Sequence, residues 1–379
     1  MLELPPLSLY VHIPWCIKKC PYCDFNSHEV SESMQEEKYL ASLLEDFAAD
    51  SIYSQGRKIH SVFIGGGTPS LLSGEFYNEL FCGLKKTADF AAGLEVTLEA
   101  NPGTAEARRF SEYRKAGINR LSIGVQSFND QALSVLGRVH DSRQAKLAIG
   151  ICRDANFDNF NLDLMYGLPS QNVEEALLDL KTAIEYQPTH LSWYQLTVEP
   201  NTAFYKKPPE LPKEKVVMDM QSKALQLLTT AGYKRYETSA YSIPEKQSKH
   251  NLNYWLFGDY IGIGAGAHGK ITLLKKNQIL RTRKVKQPSN YLSRENNYLA
   301  EQTIVTNDDL NLEFMMNALR LCNGFDRALF QNRTGISFSK IEKKIRYLES
   351  EGLLQEHEGR IMPSQKGQLF VNNLLEEFL

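Results

Sequence analysis

No apolar run in the 379 residues approaches the ~18 that a bilayer-spanning helix needs. The opening stretch MLELPPLSLYVHIPW carries no basic segment ahead of its apolar residues and is interrupted by Glu3, Pro5, Pro6 and Pro14, which argues against a secretory leader there. The chain is therefore expected in the cytoplasm. Charge of one sign is also lacking: 43 Lys and Arg against 45 Asp and Glu leave a net −2, which argues against a protein whose main partner is nucleic acid or an anionic membrane. Six cysteines are too few to staple a chain of this length. Three of them crowd into residues 16–23, and Cys82, Cys152 and Cys322 stand singly in apolar surroundings. In a reducing compartment the cluster points to metal and the single residues to core packing. Low-complexity tracts, long linkers and fixed-period repeats are absent as well, so the chain is expected to be globular throughout, with two to three domains or a barrel with an appendage.

What is present has the rhythm of an α/β protein. Segments rich in β-branched and aromatic residues at 7–13, 61–65, 95–101, 120–127, 159–169 and 190–200 read as buried strands. Amphipathic stretches at 36–50, 105–117 and 172–186 read as helices between them. This spacing is the footprint of βα units and hence of a parallel sheet. Six units predict a three-quarter (β/α)6 barrel, with a doubly wound sheet as the alternative, and both place a site at the carboxyl ends of the strands. After residues 206–212 come a helix over 216–232, mixed segments and a stretch at 270–286 with seven Lys or Arg and no acid, expected to be a solvated hairpin. From about 306 the pattern is helical with a two-stranded wing at 353–367, which predicts a small winged-helix-like domain. The organisation so read is a barrel core at 1–235, a connecting segment at 236–305 and a C-terminal domain at 306–379.

The strongest chemical signal is Cys16-Ile-Lys-Lys-Cys20-Pro-Tyr-Cys23 directly after the first strand. Three thiolates on one short loop can hold three irons of a cubane cluster and leave the fourth without a local protein ligand, the open position that a catalytic metal requires. The competing reading is a zinc knuckle completed by His12 or His28, which the absence of a second CxxC disfavours. Gly65-Gly66-Gly67-Thr68 follows the second strand, where missing Cβ atoms allow close approach of a ligand. Glu99, Gln126 and Asp163 fall at carboxyl ends of predicted strands and should converge on one pocket. Gly264-Ala-Gly266-Ala-His-Gly269 matches GxGxxG, but a basic β-branched stretch follows instead of a helix, so it is not read as a dinucleotide site.

The cysteine loop resembles that of the radical S-adenosylmethionine (SAM) superfamily. The resemblance extends through YVHIPWCIKKCPYCDF, FIGGGTPSLL, LEANPG, RLSIGVQSF, LGRVH, NLDLMYGLP, HNLNYW and GDYIGIGAGAHG to the coproporphyrinogen dehydrogenase group, and within it to a heme-chaperone branch. It implies a [4Fe-4S] cluster on Cys16, Cys20 and Cys23 with SAM at the open iron. It further implies SAM contacts from Tyr10, Tyr22, Gly66, Gly67, Thr68, Glu99, Gln126, Arg138 and Asp163, with the glycine loop meeting the methionine amino group and the Arg138 fork its carboxylate. The glycines of 264–269 are expected near the same pocket. The branch implies heme bound through the HNxxYW motif, with His250 as the iron ligand and Tyr254 and Trp255 as flat walls. It also implies transfer of heme to an acceptor protein, and a homodimer. The group's oxygen-independent coproporphyrinogen III oxidase, the alternative, carries a further cysteine where this chain has Phe25 and an extension ahead of the cluster, so decarboxylation of propionates is not the expected activity.

Overall fold

The computed structural model describes residues 2–30 and 34–378. Six strands carry the barrel: β1 (Leu7–Ile13), β2 (Ile59–Gly66), β3 (Phe90–Ala100), β4 (Arg120–Gln126), β5 (Phe160–Tyr166) and β6 (His190–Gln195). Each is parallel to its neighbour and followed by helix, the main ones being Glu36–Asp50, Gly74–Thr87, Ser142–Asp154, Val173–Glu185 and Glu214–Thr230. The helix expected over 105–117 is broken into Thr104–Ala107 and Phe110–Ala116, and Gly117 ends it in the left-handed conformation at φ 104°.

Alternation along β1 explains both faces of the barrel wall. Leu7, Leu9, Val11 and Ile13 are fully buried in the cluster shared with the helices, a contribution of roughly 1.5–3 kcal/mol for each side chain. The intervening Ser8, Tyr10 and His12 bond within a polar interior: Ser8 to Ser61 at 2.7 Å and Tyr10 to His12 at 2.9 Å. Across the barrel Asn161 bridges Ser122, Asp163 and His190 at 2.7–2.8 Å. A polar lining of this kind belongs to a barrel that holds a ligand at one end rather than to a wholly apolar plug.

The segment expected to connect two domains is woven into the sheet. β7 (Lys234–Glu237) and β8 (Ala240–Ser242) extend it beyond β6, and β9 (Asp259–Ile263) lies parallel to β1 on the other side. β10 (His268–Leu273), β11 (Gln278–Lys284) and β12 (Leu299–Ile304) continue antiparallel from β9, giving the order β12-β11-β10-β9-β1-β2-β3-β4-β5-β6-β8-β7. The basic hairpin is real, but it is solvated only in part: Lys275, Lys276 and Lys286 are exposed. Lys270 and Lys284 are buried against Asp259 and against Asp46 and Asp50, and Arg281 and Arg283 pair with Glu313 and Glu301. A charge count along the segment missed this because every counterion is distant in sequence. Cys152 is buried as expected for core packing and Cys322 partly so, whereas Cys82 is exposed on the helix Gly74–Thr87.

The C-terminal part has the winged-helix pattern: helices Asn307–Ala318, Arg327–Thr334 and Glu342–Ser350, then a ribbon of Leu354–His357 and Arg360–Pro363 joined by Phe325–Asp326. Its apolar core takes in Leu2, Phe257 and Ile279 from the barrel side. No helix among the described residues is long and apolar enough to cross a membrane.

Candidate functional site at the carboxyl end of the barrel

Cys16 closes a two-residue strand paired with His28–Glu29, so residues 17–27 form a loop tied at its base. The tie is made by His28 N–H to Pro14 O at 2.7 Å and Val30 N–H to Cys16 O at 3.0 Å. At its C-terminal end, Asn26 Nδ2 donates to both Ala265 O and Lys286 O at 2.9 Å. The glycines of 264–269 serve this anchorage: a Cβ on Gly266 would lie 2.2 Å from Asn26 Nδ2, and one on Gly264 2.4 Å from His12 O. The expectation that they sit close to a ligand is thereby corrected; they sit close to the cysteine loop and to the end of β1.

Cys16, Cys20 and Cys23 line one cavity of about 280 Å³ together with Tyr22, Gly66, Gly67, Thr68, Glu99, Gln126, Arg138 and Asp163. A tetrahedral structural zinc centre needs a fourth protein ligand, whereas a cubane takes three thiolates and leaves one iron open, so this donor set fits the cluster. His12 is spent on Tyr10 and Asn26 O, and His28 Nε2 lies 3.3 Å from Asn26 Oδ1. Each sulfur has its own polar neighbour: Thr68 Oγ1 donates to Cys16 at 3.5 Å, Arg138 Nη1 donates to Cys20 at 3.6 Å, and Ser27 Oγ lies 3.8 Å from Cys23. Such contacts tune the potential of a bound cluster. Burial raises the Cys16 and Cys23 thiols above their ordinary range, so ligation must expel protons.

The glycines of this loop are also required by packing. A Cβ on Gly66 would lie 2.5 Å from the His12 ring and one on Gly67 2.5 Å from Trp15 O, so packing against the end of β1 already demands glycine at both positions. The N–H groups of Gly66, Gly67 and Thr68 are spent on Glu99, Ile13 O and Trp15 O. What the loop can offer a ligand is carbonyl oxygen, the acceptor that an ammonium group requires. The Arg138 Nη2 is committed to Asn101 Oδ1 at 2.6 Å and Gly124 O at 2.9 Å, and Asn101 Nδ2 donates in turn to Thr68 Oγ1, so the fork also braces the cysteine loop, while its Nε has no partner among the described residues.

Glu99 and Asp163 face one another electrostatically in this cavity. Burial, then the charge of Asp163, pushes Glu99 up to about 8, while Ser122 and Asn161 fix Asp163 at 2.8 Å. Two buried carboxyl groups without a cation between them suit a positively charged guest. SAM, with an ammonium and a sulfonium, should therefore bind with release of a proton. Its affinity should rise as pH climbs from 6 towards ~8, by at most tenfold per unit, because the ionised Glu99 that binding favours becomes available at no cost above its own value. Calorimetry in buffers of different ionisation enthalpy checks this, and Glu99→Gln should flatten the profile. Gln126 is held at φ 66°, where the β4–β5 pairing shifts register, and accepts from Tyr194 at 2.7 Å.

Tyr10 does not line this cavity; it lies deeper in the barrel, stacked on Phe63 with centroids 6.4 Å apart. Sequence reasoning missed Asn101, Ser122, Gly124 and Tyr194, all of which do line it. The signal was available in β4, where Ser122, Gly124 and Gln126 occupy alternate positions and so share the inward face.

The HNxxYW motif is divided by the helix that carries it, Lys249–Trp255. His250 is 2% exposed, stacked on Phe63 at 4.8 Å with Tyr254 edge-on at 4.6 Å, and burial, then Arg120, lowers its imidazole to about 3. Its Nδ1 lies 3.3 Å from Ser61 Oγ, and its Nε2 has no partner among the described residues. The expectation that His250 ligates heme iron is corrected on this geometry, because a macrocycle cannot reach a ring enclosed by β1, β2 and its own helix. Trp255 faces the other way, into a second cavity beside the C-terminal domain.

Comparison with known proteins identifies the family. Residues 10–183 match the model of the radical SAM superfamily and residues 305–370 that of the HemN C-terminal domain. The chain is 49% identical over 379 residues to heme chaperone HemW of Escherichia coli strain K12, covering all of both chains. It is 50% identical to heme chaperone HemW of Haemophilus influenzae, covering 100% of this chain and 99% of the relative. In three dimensions it resembles the coproporphyrinogen III oxidase HemN of Escherichia coli, with a TM-score of 0.82 at 25% identity over 99% of this chain and 90% of that one. With identity running end to end and three cysteines gathered on the first βα loop, the chain belongs to the radical SAM superfamily and, within it, to the HemW family.

Proposed function

We propose that the protein is a heme chaperone: it binds a [4Fe-4S] cluster on Cys16, Cys20 and Cys23 and SAM beside Glu99, Gln126 and Asp163, and carries heme to an acceptor protein. The observation that carries the reading is end-to-end identity with proteins named heme chaperone, in a chain whose cysteine cavity is edged by Phe25. Phe25 is 60% exposed at that rim and cannot ligate metal, whereas the oxidase pattern has a thiol there. The shared fold with the oxidase is the observation favouring the second reading, decarboxylation of coproporphyrinogen propionates. When bound, the cluster and SAM supply one-electron chemistry. This chain's own residues contribute donors to the sulfurs, carbonyl acceptors from the glycine loop and two carboxyl groups for the cationic part of SAM. Cargo binding in the cytoplasm and a homodimer as a regulated form belong to the same proposal, and nucleic acid does not, since four of the seven basic residues at 270–286 are paired internally with carboxylates.

Anaerobic titration of the cluster-loaded protein with heme should give a Soret band saturating at one heme per chain. Incubation with reductant, SAM and coproporphyrinogen III should give no vinyl-bearing product. Absence of heme binding, or appearance of that product, would reverse the order of the two readings. Size-exclusion chromatography with and without SAM tests the dimer.

A further inference from the structure

The second cavity, of about 660 Å³, lies between the strands added beyond β9 and the C-terminal domain. Its size is within the range of ligand pockets and more than twice the 280 Å³ of the cysteine cavity. The sheet wall carries Tyr260, His268, Arg281 and Arg283, and the helical wall carries Trp255, Met316 and Arg320. Nothing in the chemistry of the cluster site uses any of them.

We propose that this cavity is the heme site, with His268 as the iron ligand, Trp255 as an apolar wall, and Arg283 and Arg320 as the partners of the propionates. The proposal rests on the reading that the chain carries heme, and it moves the iron ligand from His250 to His268.

Heme is a flat apolar disc with an iron at its centre and two carboxylates on one edge, so its site needs three kinds of group in one place. The first is an imidazole with a free lone pair. His268 opens β10, is exposed, and has no hydrogen-bond partner among the described residues. Burial, then Arg283, Lys286 and Arg281, lowers it below its ordinary value, which keeps the neutral, ligating form. His250 offers the opposite: a ring sealed in the barrel. The second is flat or polarisable apolar surface. Trp255 and Tyr260 supply it, and Met316, 52% exposed on the helix Asn307–Ala318, adds a thioether.

The third is cationic donors with capacity to spare. Arg283 uses Nη2 on Glu301 at 2.7 Å, and Arg320 uses Nη2 on Glu237 at 3.2 Å. A guanidinium has five N–H donors, and the Nε of each of these two has no partner among the described residues. The Trp255 indole nitrogen is likewise without one. Arg320 also lies over the Trp255 ring at 4.4 Å, so one arginine meets both the apolar wall and the polar edge. The three arginines of the lining are each paired with one carboxylate, Glu313, Glu301 and Glu237, so it is their unused N–H donors rather than a net charge that would meet a dianionic edge.

The test uses the full chain with its cluster, titrated anaerobically with ferric heme. The wild-type protein should show a Soret band at one heme per chain. His268→Ala should shift that band and weaken binding by about tenfold or more, and added imidazole should restore the wild-type spectrum. Arg283→Gln combined with Arg320→Gln should weaken binding of heme but not of heme dimethyl ester, whose propionates carry no charge. Each variant's SAM affinity reports whether the barrel is intact. A His268→Ala protein with the wild-type spectrum and affinity overturns this placement, as does loss of the band in His250→Ala alone. Failure of the wild-type protein to bind heme instead removes the carrier reading on which the placement rests.

Discussion

Replacement of Cys20 by alanine is expected to empty the cluster site altogether, taking iron from about four per chain to near zero. Three protein ligands are the minimum the loop supplies, and no other cysteine is within its reach: Cys152 is buried elsewhere, Cys82 is exposed on a helix, and Cys322 lies beyond β8. The Arg138 arm that donates to Cys20 would then lose its sulfur partner within a cavity that already holds two buried carboxyl groups. SAM binding should fall with the cluster, because the open iron is lost with it. Cys16→Ala and Cys23→Ala should behave alike. Thr68→Val, by contrast, removes only a donor to Cys16 and should keep the iron while shifting the cluster's reduction potential. Iron and acid-labile sulfide assays after anaerobic reconstitution decide the matter; a Cys20→Ala protein retaining a full complement of both would disprove the ligand assignment.

The second large effect is on stability and comes from Asp259. Both of its oxygens are engaged: Oδ1 accepts from Lys270 at 3.0 Å and Thr272 Oγ1 at 2.9 Å, and Oδ2 from Arg57 at 2.7 Å and the Thr272 N–H at 2.8 Å. Its side chain is 0% exposed and that of Lys270 2%. Asp259→Ala strands a buried ammonium, and breaking such a pair costs about 3–5 kcal/mol. Burial lowers Lys270 to about 8 even with Asp259 beside it to raise it, so the amine left alone would tend to unload its proton. Urea unfolding should therefore show a much lower midpoint, and Asp259→Leu with Lys270→Met should recover much of the loss. The pH dependence has a definite sign. Burial raises Asp259, but Lys270 and Arg57 outweigh it and hold the carboxyl below its ordinary value. Its contribution is complete above the unfolded carboxylate range and disappears as pH falls through the lowered folded value. Equal midpoints for Asp259→Ala and the unsubstituted protein would contradict this account.

The six parallel strands and most of their helices could be read from the chain because each βα unit is local: the pattern at 36–50 or 173–185 needs no knowledge of distant partners. Most of the cluster cavity could be read for the same reason, since residues at strand ends converge in any such barrel. What escaped depends on pairing across long distances. β9 joins β1 from more than 240 residues away, so a stretch read as a connector is part of the sheet. The basic hairpin looked solvated throughout because Asp46, Asp50 and Glu313 are remote in sequence. His250 was read as an available ligand because a six-residue motif does not reveal which side of its helix faces inward. His268 is hidden inside a glycine pattern whose signals point to dinucleotide or SAM binding rather than to heme.

Asn26 gives the molecule a mechanical property. One amide clamps the C-terminal end of the cysteine loop to the turn before β10 and to the chain just past β11, the same pair of strands that holds His268 and Arg283. An occupant of the barrel that stiffens that loop is therefore expected to be felt at the neighbouring hairpin through these hydrogen bonds. Free-energy coupling between two sites is reciprocal, so a guest on the hairpin must act back on the loop with equal strength.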